Sequence, residues 1–183
     1  MKAKATAKVA NAKASKKSKK KATKEEAPEP IPSYAVRGAR IFCTKGSHYR
    51  RLDLPKTHGS FLRDKAAMNE DDSVHVENST EEVFGNIPTF GICLSDDNDE
   101  DDVKTSHVEG LIFPLMGVEI DEIDFPLEGS RCIPRIGKWI GAKEDTLVDE
   151  KPALTTACTL TCATGGGCIG FIDDGQFAED DDY

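Results

Sequence analysis

No stretch of this 183-residue sequence approaches the ~18 to 20 continuous apolar residues of a membrane span, and its N-terminus lacks the ~7 to 15 residue apolar core of a secretory signal. Stable membrane insertion is therefore not expected. The signatures of catalysis are missing as well: there is no GxSxG elbow and no HExxH, and Gly165-Gly166-Gly167 lacks the Lys and Ser/Thr that would complete a phosphate cradle. Without such a residue the chain is expected not to be an enzyme. Hydrophobic residues reach only 38%, while 15 glycines and 9 prolines interrupt the chain, which predicts one modest domain with a small core and many turns.

Charge is present in quantity and unevenly placed. Lys and Arg number 24 against 33 Asp and Glu, a net charge of −9. Ten of the lysines, from Lys2 to Lys24, fall in the first 24 residues with no acid among them, leaving residues 25–183 with 14 bases against 33 acids, a balance of −19. An acidic body repels phosphate chains, so nucleic-acid binding is not expected of it, whereas the Lys-rich segment has the composition to do so. That segment carries almost no large apolar side chain and is expected to be a disordered arm. Proline alternates with other residues from Pro28 to Pro32, an extended linker. The expected organisation is a basic arm and linker over residues 1–33, a folded domain over 34–176 and an acidic tail over 177–183.

Within the domain the apolar segments are short and bounded by turn residues: Tyr34 to Cys43, Phe90 to Leu94, Gly110 to Leu115, Val118 to Phe125, Lys138 to Ile140, Thr159 to Cys162 and Cys168 to Ile172. Alternation such as Val118-Glu119-Ile120-Asp121-Glu122-Ile123 predicts strands, and no helix-period stretch stands out, so the domain is expected to be mostly β. Asp96 to Asp102 has six acids in seven positions and reads as a solvated loop; it lacks the glycine and the closing Glu of an EF-hand. Two pairs of segments look like weak repeats. Leu62 to Met68 and Leu147 to Leu154 both read as tight hairpins, and Cys43-Thr44-Lys45-Gly46 and Cys162-Ala163-Thr164-Gly165 both place Cys, two residues and Gly after a strand-like run.

The six cysteines are Cys43, Cys93, Cys132, Cys158, Cys162 and Cys168, with no CxxC pair among them. Three readings stand open on residue types: a metal site, disulfides or buried thiols. Cys43, Cys93, Cys132 and Cys162 each end an apolar run within three residues of Gly or Pro, where strand ends converge. His48 and His58 offer imidazoles for a mixed Cys/His site; His75 and His107 suggest no role.

Taken in order, Val36 to Cys43, Leu52-Asp53-Leu54-Pro55, His58-Gly59, Ile87 to Cys93, Arg131-Cys132-Ile133-Pro134, Lys151-Pro152-Ala153-Leu154-Thr155-Thr156 and Leu160-Thr161-Cys162 resemble the PAAR-like spike-tip proteins of contractile injection systems, such as type VI secretion and extracellular phage-tail-like particles. The resemblance spans residues 34–176. It implies a compact, cone-shaped, mostly β domain whose base sits on a trimeric β-helical spike and whose apex holds a metal, zinc or else iron. The implied ligands are Cys43, Cys93, Cys132 and Cys162, the implied job is mechanical puncturing of a membrane, and effector cargo would be a separate chain. Such a protein is made in the cytoplasm, assembled on the particle and delivered outside the cell or into a target. The sequence departs from the pattern in having Pro152-Ala153-Leu154-Thr155 for the Pro-Ala-Ala-Arg tetrapeptide, and in its acidic loop and Lys-rich arm. The rival expectation is a nucleic-acid-associated protein that binds phosphates through that arm.

Overall fold

The structure, a computed structural model, describes residues 31–76 and 85–177, and residues 31–183 form a unit of their own. Of the expected arm and linker over residues 1–33 and acidic tail over 177–183, residues 1–30 and 178–183 lie outside the described residues. What is described is mostly β, built from short antiparallel strands. The largest sheet has four strands: β1 (Arg40–Cys43), β2 (Arg50–Arg51), β9 (Leu160–Thr161) and β10 (Cys168–Phe171), in the order β2-β1-β10-β9. In β1 the pleat turns Ile41 and Cys43 inward, both under 3% exposed, against Ile169, Leu160, Phe90 and Leu52.

Three two-stranded hairpins complete the sheet structure: β3 (Phe61–Leu62) with β4 (Lys65–Ala66), β5 (Asp102–Thr105) with β6 (Leu127–Ser130), and β7 (Lys143–Val148) with β8 (Lys151–Ala153). The two predicted hairpins are the first and last of these. Register leaves two residues in each loop, Arg63-Asp64 and Asp149-Glu150, and all four have positive φ, between 49° and 66°. This is the signature of type I′ turns, whose twist matches that of the flanking strands. The strand expected from Val118 to Phe125 is not there. Ile120–Glu122 forms a 3₁₀ turn and Phe113–Met116 another, and most side chains from Pro114 to Asp124 face solvent. Alternation specifies a strand only where a partner strand covers one face, and none does so here.

Three segments from distant parts of the chain close a ring. Ala35 N–H donates to Leu154 O, Leu154 N–H to Met68 O, and Met68 N–H to Ala35 O, at 3.0, 3.0 and 3.2 Å. Around it, Arg37 N–H donates to Ala66 O, Glu70 N–H to Pro152 O and Thr156 N–H to Ser33 O, at 2.8, 3.0 and 2.9 Å. The paired residues follow the same cycle: Tyr34 with Thr155, Val36 with Ala67, Asn69 with Ala153. Each segment then makes the same turn, closed by Ala39 N–H to Val36 O, Asp72 N–H to Asn69 O and Cys158 N–H to Thr155 O. Residues 33–39, 66–72 and 152–158 are therefore three copies of one backbone unit about a pseudo-three-fold axis.

Alternation along these segments separates two apolar layers. Ala35, Met68 and Leu154, each no more than 1% exposed, join the main core with Ile41, Leu52, Phe90, Trp139 and Leu160. Their neighbours Tyr34, Ala67 and Ala153 sit in a second, smaller cluster with Leu62 and Val148.

Candidate docking face and thiol cluster

The smaller cluster floors a shallow apolar cavity of about 170 Å³ between hairpins β3–β4 and β7–β8, rimmed by Phe61, Leu62 and Leu147. Phe61 and Leu147 are 56% and 60% exposed, so apolar area is displayed beside the ring. Tyr34 Oη and Thr146 Oγ1 share a hydrogen bond of 2.9 Å across this face. Backbone groups of the ring are consumed within it, so the ring itself offers side chains rather than free N–H and C=O groups.

All six cysteines are free thiols, which removes the disulfide reading. Cys43 ends β1 and Cys162 follows β9; each lies eight positions beyond its ring residue, Ala35 and Leu154. The two Cys-x-x-Gly segments thus stand at the same offset from the ring, but their turns differ: Gly46 N–H donates to Cys43 O, and Gly165 adopts a left-handed φ of 59°. Cys93 pairs its backbone with Gly46, and Cys132 is held between Phe90 and Gly91, its N–H donating to Gly91 O at 2.8 Å. Gly46 is required there, because a Cβ would stand 2.5 Å from that of Phe90.

Cys132 lies beside Cys43, and its thiol, donating toward the Cys43 sulfur and buried, has its pKa pushed up, with Cys93 adding less. Cys43 is drawn the other way, down to about 7, first by the hydrogen bond from Cys132 and then by the backbone N–H groups of Lys45 and Gly46 aimed at its sulfur. A thiolate is accordingly favoured at Cys43. Cys162 approaches from the side of Gly167: a Cβ on that glycine would lie 3.1 Å from Cys43 Sγ and 3.6 Å from Cys162 Cβ. Among the described residues, no group of three or more His, Cys, Asp or Glu side chains is placed so that it could hold a metal ion. The donor set is nonetheless of one soft kind, thiols with amide donors behind them, and that chemistry fits zinc or iron.

The histidines are engaged elsewhere. His48 is 1% exposed, with Nδ1 2.7 Å from Ser47 Oγ and Nε2 3.0 Å from His107 O. His58 Nε2 lies 3.0 Å from both Asp72 oxygens, and its Nδ1 is 3.5 Å from Asp149. Of the remaining cysteines, Cys158 is buried in the ring turn, its Sγ accepting from Thr155 N–H and donating to Gly141 O, while Cys168 is exposed on β10. The ring itself escaped sequence analysis. Its only signal is the faint likeness of small and apolar residues in Tyr34-Ala35-Val36, Ala67-Met68-Asn69 and Ala153-Leu154-Thr155.

Residues 35–176 match a family described as Domain of unknown function (DUF4280). Searches for similar curated proteins and for similar solved structures found no match.

Proposed function

Starting from the membership of this chain in the DUF4280 domain family, we propose that it is a PAAR-like tip protein that caps the trimeric spike of a contractile injection system. The observation that carries this reading is the ring. A single chain that closes the end of a three-fold spike must present three similar edges to three identical subunits, and residues 33–39, 66–72 and 152–158 supply them. The apolar side chains displayed beside the ring are of the kind that a buried protein contact uses. The role is mechanical, with no catalytic residue.

In this reading Cys43, Cys93, Cys132 and Cys162 hold one zinc or iron ion. The bound ion cross-links four loops and adds roughly 10 kcal/mol of site binding energy to the folded state, which a small core lacks. The protein's own contribution is to set Cys132 beside Cys43 and to aim the Lys45 and Gly46 amides at the Cys43 sulfur.

The test is co-expression with a trimeric spike protein encoded beside it. The wild-type chain should co-purify with the spike at one copy per trimer; Phe61→Asp and Leu147→Asp, at exposed positions of the docking face, should abolish this while leaving the thermal transition in place. Undiminished capture of both variants, or no capture of the wild type, would rule the reading out.

A further inference from the structure

On the hairpin β5–β6 side of the domain lies a cleft of about 280 Å³ that has no part in the docking face or the thiol cluster. It is lined by His48, Arg50, Thr89, Gly91, Thr105 and His107, with Arg131 also in its wall. In a body with a balance of −19 this gathering of two arginines and two histidines stands out. Arg50 is half-buried, and its partners are backbone carbonyls: Nε donates to Thr89 O and Nη1 to Tyr49 O, each at 3.1 Å. Among the described residues no carboxylate pairs with it, and its hydrogen bonds go only to these two carbonyls. Burial accordingly lowers its pKa, with no acid to offset the cost. A guanidinium taken partly out of water and left without a counter-charge calls for an anion from outside.

The cleft is also a built feature. Gly91 and Gly110 both adopt left-handed φ, +76° and +77°. A Cβ on Gly91 would lie 2.4 Å from His48 Nδ1, and one on Gly110 would lie 3.4 Å from Arg50 Nη1. Gly91 thus lets the backbone close onto the imidazole, while at Gly110 glycine supplies the left-handed turn. His48 is locked by Ser47 Oγ and by the His107 carbonyl, and its ring stacks at 6.1 Å on that of His107, placing His107 at the mouth. Glu109 reaches His107 only at 4.0 Å from a position 88% exposed.

We infer that this cleft binds a phosphate group, with Arg50 as its principal charge, the Thr89 hydroxyl as a donor, and His107 and Arg131 about the entrance. The Arg50 fork, the Thr89 hydroxyl and the polar rim offer donors from several directions, which suits a tetrahedral oxyanion with several acceptor oxygens better than a planar carboxylate. The shared chemistry is phosphate, whether the free ion or a phosphomonoester on a larger molecule. The inference stands apart from the spike-tip reading and uses none of its residues.

The experiment is an amide chemical-shift titration of the isotopically labelled full chain with inorganic phosphate, phenyl phosphate and acetate at fixed ionic strength. Inorganic phosphate should produce saturable shifts at the amides of Gly91, Thr105 and Gly110, weakened roughly tenfold in Arg50→Gln, the loss of a charge-assisted hydrogen bond. Reading shifts at these amides separates the cleft from phosphate held by the lysines of residues 1–24. Matching shifts with phenyl phosphate identify the ligand as a phosphomonoester; shifts with the inorganic ion alone identify free phosphate. Should Arg50→Gln fail to fold, Thr89→Val and His107→Gln carry the comparison, each expected to weaken binding several-fold. Absence of saturable shifts at these amides, equal response to acetate, or unchanged affinity in the variants overturns the inference.

Discussion

Gly175 and Gly117 both have left-handed φ, +77° and +85°, yet a Cβ meets different surroundings at each. At Gly175 it would stand 2.4 Å from Ala39 N, backbone in a ring turn that cannot move aside; at Gly117 nothing lies within 4 Å. Gly117→Ala should therefore cost only the left-handed strain of about 1 to 2 kcal/mol, and Gly175→Ala at least about 1 to 3 kcal/mol more through overpacking. Urea unfolding of the two variants checks the ordering. His48 supplies a second prediction at this scale. Burial holds its pKa below the ordinary 6.5, so the folded protein binds fewer protons than the unfolded chain there. The stability due to its neutral form is complete above pH 6.5 and drains away as pH falls through its lowered folded value. Denaturation midpoints measured from pH 7.5 downward should fall for the wild type, and fall less for His48→Gln.

Among the elements, the hairpins β3–β4 and β7–β8 carry non-glycine residues at every turn position. Asp64→Gly and Glu150→Gly should each stabilise by up to about 1 kcal/mol, because relief of left-handed strain exceeds the entropy that glycine loses on folding; thermal unfolding reads the gain. These hairpins were legible in the sequence because the turn signal is local, an Asp with polar neighbours between apolar ends. The Val118 to Ile123 segment misled for the converse reason: its pattern is local, but whether a strand forms depends on a partner that only tertiary structure supplies. The ring was hidden more deeply, since its repeat lies in the hydrogen bonds of Ala35, Met68 and Leu154 and hardly in their side chains. The approach of Cys43 and Cys162 to one another through Gly167 left no trace in the sequence, since it joins residues more than a hundred positions apart.

For the molecule as a whole, the proposed cross-link makes stability depend on metal. Purified protein should contain about one zinc or iron per chain, and chelation should lower its melting temperature. Ser at Cys43, Cys93, Cys132 or Cys162 should remove the metal, whereas Cys168→Ser, at an exposed thiol, should not. Metal content unaffected by the four substitutions would place the ion elsewhere. Charge gives another whole-chain test: binding to DNA, if measured, should fall steeply with salt and vanish on deleting residues 1–24, since the ten lysines there face a remainder of −19.

The closed triangle of Ala35, Met68 and Leu154 also constrains the order of events during synthesis. Two of its corners, Ala35 and Met68, leave the ribosome first and can join each other, but neither completes its pairing until Leu154 emerges. Until then the groups that will meet at the axis stay wet and unmatched, and closure pays its loop entropy late. Slow, all-at-once maturation follows from this geometry, and a chain truncated before residue 152 should fail to fold at all.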